Sequence, residues 1–566
     1  MMEKNEISKV IKNSLETAIR NISSKDYHQA QLALEKVLAL DPVNFDAIYL
    51  SSVVAYETRF YALAAELGVI ALSIEPNNLQ LIKHQANTLK ELKLFDRAIQ
   101  VISKGIETLP SDASLFKLRG DFYLDQECHE KALLDFNQAA LLGLNSPAIF
   151  NSMGATLAAM SNYEQAIVNY KKAIILKKDN DLAYSNMSLS YRSLSQYENA
   201  EESIRKAILI NPTQAVFYLN LSTILNDQNK FDEAAASLEK ALEIKPDYPD
   251  ALYNLGLLDL SRGNFKKGWS EYEYRWQVKT FDSQRFQIDK PLLEQNQQTE
   301  YLFIYGEQGL GDQILHCSML QNIKDIAKNT YVLVDKRLVP LLKRSLPDIL
   351  FVEQSEKIGQ VDSHLPLASL GKFFIQDAHD FFKLSKSFLI ADSTKAKKLR
   401  DFLIGEKTLL CGVSWKSKTK KIGESKSLNL EDFLPLFKLP NIQFVNLQYG
   451  NVQEELKEFE DKYGIRVLQC ESVDNMQDID GLASLIDACD FVVTSSNTTT
   501  HIVGGLGKEC YLMTPSNAGS LWYWGNVKDG KSLWYPSIQI FKQPGLNNWA
   551  GAMNLIVDQI RQKYLA

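Results

Sequence analysis

A glycine-rich turn that ends in an aspartate is the first segment of the sequence that could carry chemistry. Residues 306–312 read Gly-Glu-Gln-Gly-Leu-Gly-Asp, and they sit between a short apolar run and a predicted helix. Glycines such as Gly309 and Gly311 let backbone amides approach a ligand closely. The carboxylate of Asp312 could accept a proton in a reaction or simply cap the helix. His316 falls on the same helical face, where a packed or capping role is the alternative to a functional one.

A run of lysines after a predicted strand is the second such segment. Five lysines occupy residues 412–427: Lys416, Lys418, Lys420, Lys421 and Lys426. Because the whole chain carries a net charge of −7, a basic cluster at the carboxyl end of a strand is suited to bind a diphosphate through one or two of its lysines. The alternative is a solvated surface loop, which is the commoner interpretation of a charge run.

Hydroxyl-bearing side chains follow another predicted strand. Residues 495–500 read Ser-Ser-Asn-Thr-Thr-Thr and precede His501 and a glycine-containing helix. The first turn of a helix offers unpaired amides and the positive end of the helix dipole, and Thr498, Thr499 and Thr500 would add hydroxyl donors. The segment could therefore cradle a phosphate, although Ser and Thr are also good helix caps.

Alternating strands and helices surround these three segments. Short apolar runs predict strands at 301–305, 331–334, 349–352, 409–415, 442–447, 466–469, 491–494 and 509–513. Helical patterns, including one over 313–327, lie between most of them. This order predicts an α/β fold of two doubly wound halves that exchange near 385–405. Ligands of such folds bind beyond the carboxyl ends of the strands, so the cleft between the halves is the expected site.

A 34-residue period runs through the first half of the chain. An aromatic residue or a histidine recurs at this spacing, at Tyr27, Tyr61, Phe95, His129, Tyr163, Tyr197, Phe231 and Phe265. Small residues recur three positions later, from Ala30 to Gly268, and several prolines share a third phase. Two helices per unit, with small residues where they cross, is the pattern of a tetratricopeptide (TPR) repeat, and it predicts an α-solenoid of eight repeats.

The eighth repeat departs from this pattern. Its second helix, over 265–276, is richer in aromatic residues than its predecessors, which predicts packing against another domain instead of a ninth repeat. Residues 283–299 lack a strong period and are interpreted as a linker. The predicted domains are therefore a TPR superhelix over 1–282, that linker, and two α/β halves over 300–390 and 391–566.

Composition limits the classes of protein to which the chain could belong. Its 566 residues are 45% hydrophobic and 23% charged, which is typical of a soluble protein with more than one domain. The six cysteines form no CxxC pair or His/Cys cluster, so we expect neither a zinc site nor a disulfide framework. The sequence has no secretory h-region and no apolar run of about 18 residues, so we expect a cytoplasmic protein without a transmembrane segment. The negative net charge argues against a nucleic-acid partner.

Five segments of the second half carry a family resemblance. They lie at 306–313, 361–370, 412–416, 500–508 and 533–536, and they read GEQGLGDQ, VDSHLPLASL, GVSWK, THIVGGLGK and LWYP. In this order they resemble bacterial TPR proteins with a glycosyltransferase domain of family 9, the heptosyltransferase-like family. The resemblance implies a GT-B fold of two Rossmann-like halves, with a nucleotide-sugar as co-substrate in the C-terminal half. It also implies inversion at the anomeric carbon without a required metal or other cofactor.

The resemblance also implies roles for individual residues. Asp312 stands where the heptosyltransferases have the general base that deprotonates the acceptor hydroxyl, and Lys416 resembles the lysine that neutralises the leaving diphosphate. The donor-binding residues that we expect are Gly309, Gly311, Lys416, Lys418, Thr498, Thr499, Thr500, His501 and Trp522. The acceptor-binding residues that we expect are Asn186, Asn220, Asn254, His316 and His364.

The combination of repeats and transferase domain is similar to the nucleocytoplasmic O-GlcNAc transferases, whose repeats bind acceptor polypeptide through an asparagine ladder. Asn186, Asn220 and Asn254 occupy one repeat position in three successive units, whereas the earlier units have other residues there. An acceptor groove on the concave face of the repeats is therefore expected to be confined to the last units. Ordinary TPR consensus usage, without a ligand, is the alternative.

One segment departs from the heptosyltransferase pattern. Residues 517–525 are unusually aromatic, and rings such as Trp522 could stack on the donor or cover an edge of the core. Transfer of a sugar to Ser or Thr of an acceptor protein, such as flagellin or another surface protein, is the favoured interpretation. A lipopolysaccharide or glycan transferase is one alternative, and a TPR scaffold with a degenerate transferase domain is the other.

Overall fold

The structure is a computed structural model that describes residues 2–353, 359–384, 387–417, 423–516, 519–545 and 548–565. Helices fill the chain as far as Tyr272, and two β-sheets follow. By compactness the chain divides into two units, residues 1–220 and 221–566. The second unit thus contains the last part of the solenoid as well as both sheets.

Pairs of α-helices form the solenoid, as the 34-residue period predicts. The sixteen α-helices described as far as Tyr272 are α1 Met2–Ser23, α2 Tyr27–Leu40, α3 Phe45–Glu57, α4 Tyr61–Ile74, α5 Leu79–Glu91, α6 Phe95–Thr108, α7 Ala113–Asp125, α8 His129–Leu141, α9 Pro147–Ala159, α10 Tyr163–Leu176, α11 Asp181–Ser193, α12 Tyr197–Ile210, α13 Ala215–Asp227, α14 Phe231–Ile244, α15 Pro249–Ser261 and α16 Phe265–Tyr272. The aromatic residue of the repeat begins the second helix of each pair.

Small residues allow the paired helices to cross closely. Ala30, Ala64 and Ala98, three positions after the repeated aromatic residue, are completely buried. A Cβ atom added to Gly120 would lie 2.6 Å from the ring of Phe136, which is closer than van der Waals contact allows. The recurring small residues are therefore explained by sterics at the helix crossings.

Each turn inside a repeat contains one residue with a left-handed backbone. In seven of the eight turns this residue is not glycine, and its φ lies between 58° and 65°: Lys25, Arg59, Lys93, Glu127, Ser161, Ser195 and Asn229. In the eighth turn it is Gly263, at φ 84°. Left-handed residues commonly end helices because they let the last carbonyl groups find partners. The sequence does not signal these positions, because most of them lack the expected glycine.

The second helix of the eighth repeat is short and packs against the sheet-containing part of the same unit, as predicted. After α16 the chain continues as a 3₁₀ helix, Glu273–Gln277. The ring of Phe265 meets that of Phe381 edge to face at 5.2 Å. Trp269 is completely buried and its ring covers Gly371, where a Cβ atom would lie 2.2 Å from the indole.

Two separate sheets follow the repeats. In the first, all described pairings are parallel and the strand order is β3-β2-β1-β4. Its strands are β1 Thr299–Tyr305, β2 Ala327–Leu333, β3 Leu350–Val352 and β4 Ser363–Pro366. The second sheet has the order β6-β5-β7-β8-β11-β10-β9, parallel as far as β11 and antiparallel beyond it. Its strands are β5 Leu409–Ser414, β6 Ile442–Asn446, β7 Phe491–Ser495, β8 Cys510–Thr514, β9 Val527–Lys528, β10 Lys531–Ser532 and β11 Ile538–Lys542.

Helices connect most of these strands. Those described are α17 Leu310–Cys317, α18 Val339–Ser345, α19 Gly371–Phe374, α20 Ser393–Leu403, α21 Gly423–Lys426, α22 Leu434–Phe437, α23 Gln453–Tyr463, α24 Ile479–Ala488, α25 Thr498–Gly505 and α26 Trp549–Ile560. Two of them, α17 and α25, begin within the segments 306–312 and 495–500 that the sequence marks as chemical. Both therefore start near the carboxyl end of a parallel strand.

The structure differs from the predicted elements in several places. Residues 466–469 form only a single bridge, between Leu468 and Val445. The helix predicted over 313–327 ends as an α-helix at Cys317 and continues as a 3₁₀ helix, Ser318–Asp325. Strands β4, β9, β10 and β11 were not predicted. The linker is packed: Leu293 is buried and its N–H donates to the carbonyl of His364 at 3.1 Å.

Candidate active site

The glycine-rich turn holds Asp312 at the start of α17. Strand β1 ends at Tyr305, the turn covers 306–309, and Asp312 lies in the first turn of the helix. The backbone N–H of Gly309 donates to one carboxylate oxygen of Asp312 at 3.3 Å. The hydroxyl of Tyr523 donates to the other oxygen at 3.4 Å. Asp312 is thus both a helix-terminal residue and a carboxylate with a partner from the second sheet's region.

A buried lysine accompanies this carboxylate. Lys426, at the end of α21, has only 3% of its surface exposed, and it makes no ion pair or hydrogen bond with any residue in the described part of the chain. Burial raises the pKa of Asp312, against the opposing effects of the Gly309 N–H, the Lys426 ammonium and the Tyr523 hydroxyl. Burial lowers the pKa of Lys426, and the charge of Asp312 opposes that shift. A base and a cation with shifted pKa values therefore influence each other in one region of the second unit.

His501 closes one side of this region. Its Nδ1 lies 3.3 Å from the hydroxyl of Tyr535, and its ring stacks on that of Trp524 at 5.2 Å. A Cβ atom on Gly311 would lie 2.8 Å from the imidazole ring, so α17 and α25 approach closely only because residue 311 is glycine. Burial, with a smaller effect from Lys426, lowers the pKa of His501 to about 3. The imidazole is consequently neutral and serves as packing and a hydrogen-bond partner.

The three threonines after β7 have different surroundings. The hydroxyl of Thr500 donates to the carbonyl of Ser495 at 2.9 Å, and that of Thr499 donates to the carbonyl of Leu447 at 3.4 Å. Thr498 is partly exposed and its hydroxyl makes no hydrogen bond within the described residues. Beside it, Asn497 is buried and its Oδ1 has no partner there either. Thr498 and Asn497 are therefore the groups of this segment that could meet a ligand.

The lysine favoured by the sequence is engaged elsewhere. The ammonium of Lys416 pairs with the carboxylate of Glu455 at 2.7 Å and is 42% exposed. The same carboxylate accepts from the indole N–H of Trp415 at 2.9 Å. The amide oxygen of Gln448, a buried residue, accepts the backbone N–H groups of both Trp415 and Lys416. We therefore replace Lys416 by Lys426 as the candidate cation beside Asp312; Lys418 lies outside the described residues.

Trp522 packs against the eighth repeat. Its ring meets that of Trp269 edge to face at 5.5 Å and that of Trp534 at 6.0 Å. These contacts favour the interpretation that the ring of Trp522 covers an edge of the core over the interpretation that it stacks on a donor. The neighbouring residues have more specific contacts: Tyr523 donates to Asp312, and the indole N–H of Trp524 donates to the hydroxyl of Ser496 at 2.9 Å.

The two histidines expected on the acceptor side are both buried. His316 lies against the rings of Trp269 and Trp534, and burial first of all lowers its pKa to about 3. His364 is on β4, where its ring stacks on that of Tyr305 at 5.9 Å. His316 is 2% exposed and His364 is 5% exposed. Little of either surface could contact an acceptor, so both lie where packing residues lie. The apolar pattern around them does not reveal this in the sequence.

The asparagines of the repeats contact their neighbours. The amide of Asn186 donates to the side chain of Asn151 at 3.3 Å, and that of Asn220 donates to Ser185 at 3.2 Å. Asn254 belongs to the other unit and, like these two, is partly buried. Hydrogen bonds between adjacent repeats account for two of the three residues without a ligand, although their partial exposure leaves room for one.

Lys426 and Tyr523 are the residues of this site that sequence reasoning did not select. Lys426 is one of five lysines in a run, and nothing in the run distinguishes it. Tyr523 lies in the aromatic segment, where Trp522 was preferred. Across the described ranges, no group of three or more His, Cys, Asp or Glu side chains is arranged to hold a metal ion. No helix in those ranges is long and apolar enough to cross a lipid bilayer.

Comparisons with known proteins support the repeats. Residues 223–260 match a family model described as a TPR repeat, and residues 182–214 match one described as a tetratricopeptide repeat. A curated relative, Protein FlbA of Caulobacter vibrioides, is 27% identical in an alignment over 334 residues that covers 53% of this chain. The chain matches only about half, 53%, of the length of that relative.

Solved structures show similar helical repeats. One is YrrB, which its description calls a TPR protein with an unusual peptide-binding site; it is 20% identical, covers 34% of this chain and 98% of its own, and has a TM-score of 0.29. A tetratricopeptide repeat protein from Parabacteroides merdae is 16% identical, covers 44% and 99%, and has a TM-score of 0.38. The two family models and the helix pairs show that the chain carries tetratricopeptide repeats, which form a helical solenoid that is followed by a sheet-containing part.

Proposed function

We propose that the chain is an inverting glycosyltransferase of GT-B architecture that moves a sugar from a nucleotide-sugar to a Ser or Thr hydroxyl of an acceptor protein. Two sheets of mainly parallel strands support this, because such folds bind ligands beyond the carboxyl ends of the strands. Asp312 and Thr498 both follow such ends, after β1 and β7. The sequence resemblance to family 9 transferases points to the same chemistry.

The observation that carries the proposal is that the carboxylate of Asp312, at the start of α17, and the buried ammonium of Lys426 act on each other's pKa values without forming a direct ion pair. The carboxylate is held by Gly309 and Tyr523, and its raised pKa makes it a better base than an ordinary aspartate. The buried ammonium of Lys426 lies close enough to favour the ionised carboxylate. A general base and a cation are the two groups that sugar transfer from a diphosphate requires.

In the proposed reaction, the ionised Asp312 takes the proton of the acceptor hydroxyl while that oxygen forms a bond to the anomeric carbon. The bond from the anomeric carbon to the diphosphate oxygen breaks on the opposite face, which inverts the configuration. The nucleoside diphosphate leaves with the electron pair, and Asp312 later gives its proton to solvent. Lys426 and the first-turn amides of α25, with the hydroxyl of Thr498, would stabilise the leaving charge. These groups supply positive charge that a metal ion provides in other transferases, so we retain the expectation of a metal-independent reaction.

The acceptor is proposed to be a polypeptide because TPR solenoids are protein-interaction modules. The partly exposed Asn186 and Asn220 lie on successive repeats and could add hydrogen bonds to a peptide backbone. Flagellin or another surface protein, the acceptor class expected from the resemblance, is the first to test. The nucleotide-sugar is best chosen beforehand by thermal shift against a panel of such compounds.

Replacement of Asp312 by Asn tests this function. Because Asn has a similar shape but cannot accept the proton, we expect Asp312→Asn to lower the rate of transfer by about 100-fold or more, measured as the intact-mass shift of a co-expressed acceptor protein. Asp348→Asn is the matched control, since Asp348 is 69% exposed and pairs with Lys324 at the surface. Transfer by Asp312→Asn at the wild-type rate would favour a scaffold without this catalysis. A mass shift on lipopolysaccharide but not on protein would replace the proposed acceptor class.

A further inference from the structure

We propose that Arg275 of the eighth repeat is a positioning residue for Asp312, and that the end of the solenoid is thereby part of the active site's support. The inference rests on the proposed function for its catalytic consequence, but its structural content can be tested separately. The connection runs from Arg275 through Glu307 to the glycine-rich turn that precedes Asp312. All of these residues belong to the same compact unit.

Every N–H group of the Arg275 guanidinium has an acceptor. Nε and Nη2 donate to the two carboxylate oxygens of Glu307, both at 2.9 Å. Nη2 also donates to the hydroxyl of Ser369 at 3.0 Å, and Nη1 donates to Glu273 at 2.8 Å and to the carbonyl of Tyr272 at 3.2 Å. Arg275 is 0% exposed. A lysine could not reproduce this planar set of five hydrogen bonds.

Glu307 transmits this constraint to the turn. Besides Arg275, its carboxylate accepts the backbone N–H of Ala368 at 3.0 Å, and it is 4% exposed. A buried carboxylate that has lost its guanidinium partner is costly, so Glu307 would move or draw in water if Arg275 were removed. Glu307 is only five residues from Asp312, and the first of the intervening residues is also held by the eighth repeat.

Gln308 is the second point of attachment. Its side-chain oxygen accepts the hydroxyl of Tyr272 at 3.0 Å, and its backbone N–H donates to the hydroxyl of Ser283 at 2.7 Å. Its φ of 61° is left-handed, a conformation that costs a non-glycine residue energy and persists only when its surroundings hold it. The next N–H along the chain, that of Gly309, is the one that binds Asp312.

The eighth repeat therefore holds the turn through Glu307 and Gln308. Asp312 is positioned by Gly309, Gly309 by the conformation of Gln308, and that conformation by Tyr272, Arg275 and Glu307. Displacement of a catalytic group by about 1 Å can cost about 100-fold in rate. Loss of the Arg275 contacts is thus expected to lower the turnover number more than the affinity for the donor, whose proposed contacts lie on the second sheet.

The test uses Arg275→Lys in the full-length chain, with Arg119→Lys as the matched control. Arg119 makes a similar two-point pair with Asp135, at 2.7 and 2.8 Å, but in the other unit. For Arg275→Lys we expect kcat to fall at least tenfold while the donor KM changes less than threefold. Amide hydrogen exchange of the peptide that contains 306–313 should become at least tenfold faster, while exchange in β5 should stay unchanged. Arg119→Lys should change none of these.

Tyr272→Phe is the second variant, in case Arg275→Lys fails to fold. It removes only the hydroxyl that binds Gln308, so we expect faster exchange in 306–313 and a smaller fall in kcat. Unchanged exchange of this peptide in the folded variants, or a change no larger than that of Arg119→Lys, would overturn the inference. Because exchange needs no substrate, a wild-type protein that transfers no sugar would contradict the proposed function and leave this inference to be decided by exchange.

Discussion

At the scale of single residues, burial separates the lysines that the sequence presents as a group. Lys426 is almost fully buried near Asp312, whereas Lys416 is paired with Glu455 and partly exposed. An ammonium taken out of water at a considerable cost in free energy is seldom retained without a use. Lys426 is for this reason the better candidate for contact with a negatively charged leaving group.

Substitution of each lysine by methionine distinguishes them. We expect Lys426→Met to lower kcat by about 100-fold, because it removes a charge that would stabilise the leaving diphosphate. Its thermal stability should be equal or higher, since methionine fills a similar volume without a buried charge. Lys416→Met should lower kcat less than about threefold. Steady-state kinetics with the selected nucleotide-sugar would measure both variants. If Lys416→Met lowered kcat more than Lys426→Met, the choice of Lys426 as the cation would be wrong.

The pH dependence of the reaction should reflect both shifted groups. Transfer needs Asp312 ionised, so the rate should rise with pH through a pKa that burial has raised above the usual range of an aspartate. It also needs Lys426 protonated, so the rate should fall at a higher pH, through a pKa that burial has lowered below the usual range of a lysine. A bell-shaped profile of kcat/KM is the expected result. Lys426→Arg should move the falling limb to higher pH, because a guanidinium has a higher pKa than an ammonium. If the limb does not move, it reports the titration of another group.

At the scale of elements, the close approach of α16 to α19 depends on the absence of a side chain at one position. The indole of Trp269 lies over Gly371, and Trp269 also contacts His316 and Trp522. One tryptophan from the repeats thereby packs against three segments of the sheet-containing part. Such an arrangement is intolerant of added volume because buried side chains are close-packed.

Gly371→Ala should therefore destabilise the protein. Its methyl group would lie 2.2 Å from an indole that cannot move away, and overpacking of this kind costs about 1–3 kcal/mol in the free energy of unfolding. Urea denaturation followed by tryptophan fluorescence would measure the change. Gly545→Ala is the control, because a Cβ atom there has no described atom within 4 Å. Equal stability of the two variants would mean that the Trp269 contact is not tightly packed in solution.

At the scale of the whole molecule, the end of the solenoid belongs with the sheets. The predicted domain boundary at 282 marks the change from helices to strands, whereas the compact units divide at 220. Residues between these points supply Trp269, Tyr272 and Arg275, all of which are buried against the sheet-containing part. The two limits therefore predict different results when the chain is shortened.

Removal of residues 1–211 should leave a folded protein, because it keeps α13 and the whole second unit intact. Removal of residues 1–282 should give an aggregated or unfolded product, because it exposes the partners of Trp269 and leaves Glu307 without Arg275. Size-exclusion chromatography and thermal denaturation would compare them. The protein that lacks residues 1–211 should also keep slow hydrolysis of the nucleotide-sugar, but it should lose transfer to protein. Cooperative melting of both products would place the boundary at 282.

Much of the fold follows from the sequence because its signals are local. The 34-residue period, the small residues at helix crossings and the apolar runs of most strands are spacings along the chain, and the helices and most of the sheets lie where these spacings predict. The same reasoning located the turn before Asp312 and the threonine segment before His501. It missed β4, β9, β10 and β11, and it missed the left-handed turn residues, which are mostly not glycine.

Only the tertiary structure decided which members of these segments meet. Spacing alone could not separate Lys426 from Lys416, choose Tyr523 over Trp522, or show that His316 and His364 are enclosed, because burial depends on contacts between residues far apart in the chain. The same is true of Arg275, whose partner Glu307 is 32 residues away. Local pattern determined the elements, and the desolvation and pairing that fix the state of a charged group came from how those elements pack.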